Sequence, residues 1–261
     1  MSVDLRQAVT LVTGAAGAIG KGIARDFCRL GARVFVTDLE AGAVEATVGD
    51  LAGDGACRGL AADVADEAEV RRVVEAAAEA FGGRIDVLVN VAGVVAQGEV
   101  ETIPEDEWDR VFAVNCKGTF FFIKHVVPRM KAAGGGRIIN FSSKSGKTGS
   151  ALMTHYSAAK AAVIGMTQAL AHELAGDGIT VNCLCPGIVL ETGVWDKVSA
   201  GYVENLDLSR EEVIERFTAK VPLGRLAAVA DVVAVTRFLA SPGAGYMTGQ
   251  AVNVTGGREM H

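Results

Sequence analysis

The feature that most constrains this chain is an alternation carried through nearly its whole length. Short apolar runs, each closing on glycine or a small polar residue, are separated by longer stretches with apolar residues three and four apart. The runs are "AVTLVT" (8 to 13), "RVFVTD" (33 to 38), "CRGLAAD" (57 to 63), "DVLVN" (86 to 90), "GRIINFS" (136 to 142), "TVNCLC" (180 to 185) and "AVNVT" (251 to 255). Helical periodicity fills the intervals near 18 to 30, 66 to 81, 105 to 132, 151 to 175 and 228 to 240. Strands that are apolar along their length and flanked by helices belong in a parallel sheet covered on both faces. The pattern therefore predicts an α/β chain of the Rossmann, doubly wound type, with a seven-stranded parallel sheet and its ligand beyond the C-terminal strand ends.

No linker, repeat or low-complexity tract interrupts the alternation, so residues 1 to 261 read as one domain with an insertion at about 188 to 222. A stretch that long between strand and helix is a functional lid or a loop. "SREEVIERF" within it has a serine cap and helical spacing, which predicts an ordered lid. The net charge of −6 argues against a nucleic-acid partner, which calls for clustered Lys and Arg. No apolar stretch reaches the eighteen residues a membrane span needs, and the N-terminus lacks the succession of a secretory signal, so a cytoplasmic location is expected.

Five scattered cysteines, an odd number, argue against a disulfide framework in such a chain. Cys183 and Cys185 form a C-x-C pair that a metal could use, but the alternation of "ITVNCLC" puts both on one face of a buried strand as small apolar side chains. No metal is expected.

"TLVTGAAGAIGKGIA" sets Gly14, Gly17 and Gly20 directly after the first strand and at the start of a helix. There, backbone N–H groups meet a pyrophosphate without obstruction from Cβ atoms. A tight turn without a ligand is the alternative. Asp38, at the end of the second strand, stands where a carboxylate accepts from both adenosine ribose hydroxyls and repels a 2′-phosphate. Leu39 follows it where a 2′-phosphate would call for a base, so NAD is the expected cofactor. A cap on the following helix is the other reading of Asp38.

In "SSKSGKTGSALMTHYSAAK", Tyr156 and Lys160 lie four apart and so share a helix face. A phenol has a pKa of about 10, and acid/base work near pH 7 requires it lowered by roughly three units, or about 4 kcal/mol. An ammonium at about 4 Å, in an effective dielectric near 20, supplies a term of that size. His155, adjacent to Tyr156, points elsewhere and is left out of the chemistry.

Taken together, "TGAAGAIG", "NVAG", Asn115 in "AVNCKG", Ser143, "YSAAK" and "PG" at Pro186 resemble the short-chain dehydrogenase/reductase family over essentially the whole chain. The resemblance implies Tyr156 as the general acid/base and Lys160 as the group that lowers its pKa and binds the nicotinamide ribose. It implies Ser143 as the hydroxyl holding the substrate oxygen and Asn115 as the helix-kinking residue of a proton relay. For the cofactor it implies Gly14, Gly17, Ile19 and Gly20 in the phosphate loop, Asp63 with Val64 beside the adenine, Asn90 bracing the central sheet, and Pro186 with Val189 beside the carboxamide. This chain departs from the family pattern at Ala18, where glycine is usual, at Val91, where asparagine is common, and at Thr192, one residue late.

"SKSGKTGS", "KVPLGR" and "YMTGQAVNVTGG" are similar to the family's bacterial sugar-alcohol dehydrogenases, including those acting on sorbitol or sorbitol 6-phosphate. That resemblance implies a small-molecule polyol substrate, with Gln97, Glu191 and Asn205 as hydrogen-bond partners. Lys144 and Lys147 read either as phosphate contacts or as solvated lysines. The alternatives are a 3-oxoacyl thioester reductase or another keto-reductase, and a non-catalytic dinucleotide sensor. The faces "GTFFFIKHVV" and "AAKAAVIGMTQALA" resemble the family's four-helix contact and imply a homotetramer, a dimer of dimers.

Overall fold

Successive residues of a strand point to opposite sides of its sheet, and here both sides are apolar. Val34 and Val36 pack with Ile23, Phe27 and Val232 on one side, while Phe35 packs with Val70, Val74 and Phe81 on the other. Such strands bury both faces only between two helical layers, the arrangement found in the computed structural model, which describes residues 5–206 and 208–261 without the side chains of 204–206.

The strands are β1 (Val9–Thr13), β2 (Arg33–Thr37), β3 (Cys57–Gly59), β4 (Val87–Asn90), β5 (Gly136–Phe141), β6 (Ile179–Pro186) and β7 (Ala251–Val254). They form one sheet in the order β3-β2-β1-β4-β5-β6-β7, and every pairing is parallel. The helices are α1 (Ala18–Arg29), α2 (Ala41–Leu51), α3 (Glu67–Ala80), α4 (Glu105–Phe112), α5 (Thr119–Ala133), α6 (Ser145–Thr148), α7 (Thr154–Leu174), α8 (Gly193–Leu206), α9 (Arg210–Thr218) and α10 (Val229–Ala240). The winding reverses between β1 and β4, which opens a crevice beyond their C-terminal ends.

All seven expected strands are present, with three differences of detail. The third ends at Gly59 rather than at residue 63, although Leu60 N and Ala62 N still donate to Val36 O and Asp38 O at 3.2 and 2.9 Å. The 105 to 132 helix is split by a π-helical segment, Ala113–Gly118, that joins α4 to α5. The helix expected from 151 begins at Thr154, after the separate short helix α6.

Helix α2 lacks a sequence expectation altogether. Its residues, "AGAVEATVGDL", bury only Val44, Thr47 and Leu51, too few to give a marked apolar stripe. By contrast, the first turn of α3 is capped by Asp66, whose carboxylate accepts from Ala68 N at 2.8 Å and Glu69 N at 3.1 Å.

The 188 to 222 stretch carries α8 and α9. Ser209 and Glu212 close a reciprocal cap at the start of α9: Glu212 N donates to Ser209 Oγ at 3.2 Å and Ser209 N to Glu212 Oε2 at 2.8 Å. Trp195, Val213, Phe217, Val221 and Leu226 form a small core of their own there. The Trp195 and Phe217 rings meet edge-on with centroids 6.3 Å apart. Cys183 and Cys185 are fully buried side by side in β6, and among the described residues no cluster of His, Cys, Asp and Glu is placed to hold a metal. No described helix is long and apolar enough to cross a membrane.

Candidate active site

The crevice starts where β1 meets β4. Thr13 Oγ1 accepts from Val91 N and Ala92 N, both at 3.1 Å, and ties the two strand ends together. Gly14 then turns with φ 65°, so close that a Cβ there would lie 2.7 Å from Ala92 N. A Cβ on Gly20 would lie 2.3 Å from Gly14 O, so only glycine lets α1 start against this turn. Gly17 is different. It is extended at the N-cap of α1, and a Cβ would meet only Gly14 O at 3.4 Å. Ala18 opens the helix without disturbing it, which explains how the loop keeps its path with alanine where the family has glycine. The free N–H groups of the first turn of α1 face the crevice end of the sheet, a seat for a phosphate.

Asp38 follows β2, and its carboxylate is partly engaged by backbone. Oδ2 accepts from Ala16 N at 2.8 Å and Oδ1 from Leu39 N at 2.8 Å. It therefore holds the glycine loop. The helix-cap alternative does not apply, since the N-cap of α2 is Glu40 and makes no side-chain cap bond. Val64 is buried against Gly118, while Asp63 is exposed and binds Ala65 N through Oδ1 at 2.8 Å. Asn90 is turned into the sheet: its Nδ2 donates to Asn140 Oδ1 at 2.9 Å, and Asn140 donates on to Thr167 Oγ1 at 3.0 Å. Its amide braces β4, β5 and α7 rather than reaching into the crevice.

Ser143, Tyr156, Lys160 and Asn115 share one wall of a cavity of about 480 Å³ that also touches Ile19, Pro186 and Val189. Ser143 sits just beyond β5, with Tyr156 and Lys160 on the first turns of α7. Lys160 Nζ donates to Phe141 O at 2.9 Å, and Ser142 Oγ donates to Lys160 O at 2.8 Å, so β5 and α7 are locked at this point. Gly93 lies over them: a Cβ there would be 2.7 Å from Asn115 Oδ1 and 3.2 Å from Lys160 Nζ.

Asn115 is fully buried in the π-helical segment and donates through Nδ2 to Val94 O and Val111 O, both at 2.9 Å. Its Oδ1 has no partner among the described residues and is buried on the side that faces Gly93 and Lys160. That orphaned acceptor fits one end of a proton relay.

The electrostatics differ from the sequence expectation in one respect. Burial pushes the Tyr156 phenol above its ordinary pKa, and the hydrogen bond with Ser143 pulls it back. Lys160 Nζ lies 5.7 Å from the tyrosine ring centroid, and burial pulls its own pKa down to about 8. In the chain alone, then, the hydroxyl of Ser143 is the group that favours the phenolate.

The expected polyol partners are not gathered here. Gln97 packs against Gly201 of α8 outside the cavity, and Glu191 is exposed with φ 58°. Asn205 lies outside the described side chains. Lys144 lines the cavity, whereas Lys147 turns away to donate to Ala251 O at 2.6 Å. Thr192, one residue late in sequence, is buried as the cap of α8: its Oγ1 donates to Val189 O at 2.9 Å and accepts from Trp195 N at 3.2 Å. His155 is fully buried against Trp108 and Glu107, away from the crevice. Trp195, Tyr202, Phe217, Lys220 and Arg258 line the cavity without having been singled out for it. Their only sequence signal was the pair of aromatic residues in an insertion.

The chain matches the family model described as Enoyl-(Acyl carrier protein) reductase over residues 14–259. It is similar to sorbitol dehydrogenase of Cereibacter sphaeroides, at 39% identity over 96% of each chain. It is equally similar to galactitol 2-dehydrogenase of Agrobacterium fabrum, at 39% identity over 98% of this chain and 99% of that one. In structure it resembles a single-residue tryptophan variant of actinorhodin polyketide ketoreductase with NADPH, with a TM-score of 0.94, 38% identity and 98% of each chain covered.

Proposed function

Because the chain belongs to the short-chain dehydrogenase/reductase family, we propose that this oxidoreductase uses NAD to interconvert a secondary alcohol of the polyol class and its ketone, with Tyr156 as acid and base. The observation that carries the reading is the convergence of Ser143, Tyr156, Lys160 and Asn115 on a cavity that also reaches Ile19 of the glycine loop.

The nicotinamide, when bound, supplies the hydride acceptor; the residues of this chain handle the proton. In oxidation, Tyr156 as phenolate takes the carbinol proton on Oη while the Ser143 hydroxyl donates to the substrate oxygen and fixes its position. Lys160 is the cation beside Tyr156 and the partner for the ribose, and Asn115 Oδ1 continues the relay towards solvent. Reduction reverses each transfer. The cofactor is held by the backbone turn at Gly14, Gly17 and Gly20, by Asp38 at the ribose, by Asp63 and Val64 at the adenine, and by Pro186 and Val189 at the carboxamide. The α8–α9 segment acts as the lid over the substrate end.

Asp38 supports NAD, because a second negative charge at the ribose would meet its carboxylate. The NADPH of the related ketoreductase structure favours the second reading, a keto-reductase acting on a thioester or polyketide. Absorbance of the reduced nicotinamide decides between them, using NAD and NADP with sorbitol, galactitol, xylitol, butanediol and their phosphates, and NADPH with a 3-oxoacyl thioester. Oxidation of a polyol with NAD supports the first reading and thioester reduction with NADPH the second; a dinucleotide sensor binds NADH and turns over none.

Five unbridged cysteines accord with the cytoplasm. Trp108 and Phe120 are 38% and 46% exposed on α4 and α5, apolar area that a homotetramer would cover. A monomer mass by light scattering would remove that assembly.

A further inference from the structure

Besides Lys160, four side-chain cations line the same cavity as Ser143 and Tyr156, in a chain whose net charge is −6. Lys144 comes from the turn after β5, Arg216 from the last turn of α9, Lys220 from just beyond it, and Arg258 from the C-terminal segment. Three separate parts of the chain thus bring positive charge to one wall.

The cluster is built rather than incidental. The Phe217 ring, itself buried, holds the Arg258 guanidinium 5.4 Å and the Lys220 ammonium 5.3 Å from its centroid. Arg258 is only 18% exposed. Lys144, which lines the cavity, donates to Ser150 Oγ at 2.8 Å and to Gly149 O at 3.4 Å. Lys144 feels its neighbours: burial and the charges of Arg258 and Lys220 hold its amine below its ordinary pKa, against the opposing charge of Glu259. Burial raises the Tyr202 phenol, and the Arg258 charge pulls it back. One carboxylate, Glu259, stands 3.3 Å from Arg258 and offsets a single charge of the four. Lys144 and Arg258 are partly buried, and gathering like charges beside them is unfavourable unless an anion completes the group, while Arg216 and Lys220 stand at its exposed rim.

We propose that this wall is an anion subsite, so that the alcohol turned over at Tyr156 carries a carboxylate or phosphate at the end remote from its carbinol. Arg258 supplies the planar fork suited to either oxyanion, and Lys144 and Lys220 flank it as point charges. Because Lys144 is the next residue after Ser143, the subsite and the reacting carbinol share one turn of chain, which fixes the distance between the two ends of the substrate. A neutral hexitol would leave these cations unanswered.

The inference rests on the dehydrogenase reading, and the test separates the two. Purified full-length protein with NAD is assayed on matched pairs, sorbitol against sorbitol 6-phosphate and butanediol against 3-hydroxybutyrate. The anionic member of at least one pair is expected to show at least a roughly tenfold higher kcat/KM. That preference is expected to fall about tenfold or more in Arg258→Gln and in Lys220→Gln, and to shrink as salt is raised. Which pair responds distinguishes phosphate from carboxylate. Equal or better use of the neutral members, or a preference that survives both variants, overturns the subsite while leaving the dehydrogenase intact.

If no alcohol is oxidised, titration calorimetry with inorganic phosphate and with acetate decides the subsite alone. Binding by the parent that is lost in Lys220→Gln supports it; no binding, or equal binding by both, overturns it. Lys220 is exposed, so its variant keeps the test open should Arg258→Gln fail to fold.

Discussion

Lys160 holds its ammonium 5.7 Å from the centroid of the Tyr156 ring and donates it to Phe141 O at 2.9 Å, so the cation over the ring is tied to the end of β5. Burial raises the phenol, and Ser143, not Lys160, is the neighbour that pulls it down. Removing a donor to a phenolate raises its pKa. Ser143→Ala is therefore expected to move the acid limb of alcohol oxidation to higher pH, besides lowering kcat by roughly 10²-fold or more. A pH profile of kcat/KM checks this; an unmoved limb would assign Ser143 to substrate positioning alone. Tyr156→Phe, which has no proton to exchange, should abolish turnover while keeping NADH binding.

Lys160 also gives the chain without dinucleotide a pH-dependent stability. Its folded pKa is lowered to about 8, so above that value the native chain has released a proton that the unfolded chain keeps until about 10.4. The unfolded state binds more protons in this window, and stability therefore rises with pH from about 8 to about 10. Below it both states are charged and the full burial penalty stands. Comparing urea midpoints of the parent and Lys160→Met across that range isolates the effect: the advantage of the methionine variant should shrink as pH rises, and a constant difference contradicts it.

Asp38 does two things at once, and a double variant separates them. Asp38→Ala with Leu39→Arg removes the carboxylate that opposes a 2′-phosphate and adds a base, so NADPH use relative to NADH should rise by at least about tenfold, or 1.4 kcal/mol. Since Asp38 Oδ2 also accepts from Ala16 N at 2.8 Å, both cofactors should bind more weakly as the glycine loop loosens. Kinetics with each dinucleotide measure the ratio, and an unchanged ratio refutes the assignment of the pocket.

The two helix-end glycines of the loop should respond oppositely to one methyl group. Gly20→Ala places Cβ 2.3 Å from Gly14 O and 2.9 Å from Ala15 Cα, backbone atoms that give way only by shifting the loop. A cost of about 1–3 kcal/mol is expected. Gly17→Ala meets a single atom at 3.4 Å and should melt within a few degrees of the parent. Thermal denaturation of both variants checks the contrast.

These glycines and the helix pair of Tyr156 and Lys160 were legible in the sequence because their roles are local: a turn after a strand, or two side chains one helical turn apart. The strands were equally legible, since burial on both faces leaves an unbroken apolar run. What escaped depends on long-range placement. Helix α2 buries too narrow a stripe to show a period, and the π-helical insertion around Asn115 leaves no mark in apolar spacing. Arg258 and Lys220, far apart in the chain, both come to the Phe217 ring. Gln97 and Glu191 were judged by chemistry and loop position, yet Gln97 is taken up by α8 and Glu191 by solvent.

Asn115 offers the sharpest separation of fold from chemistry. Its Nδ2 satisfies two carbonyls, Val94 O and Val111 O, each at 2.9 Å, while its buried Oδ1 has no partner among the described residues and faces Gly93 and Lys160. Asn115→Leu loses both functions, strips Val94 O and Val111 O of their amide donor and should cost about 2–4 kcal/mol by urea denaturation. Asn115→Ser is smaller, keeps a hydroxyl that can donate to Val111 O as serine does in helices, and should recover part of that stability. It still lacks an acceptor at the Oδ1 position. If Oδ1 belongs to the proton relay, turnover falls about tenfold or more in both variants, whatever their stability, with a larger solvent isotope effect than the parent. Turnover that tracks stability instead would reduce Asn115 to the residue that holds the helix in its π-turn.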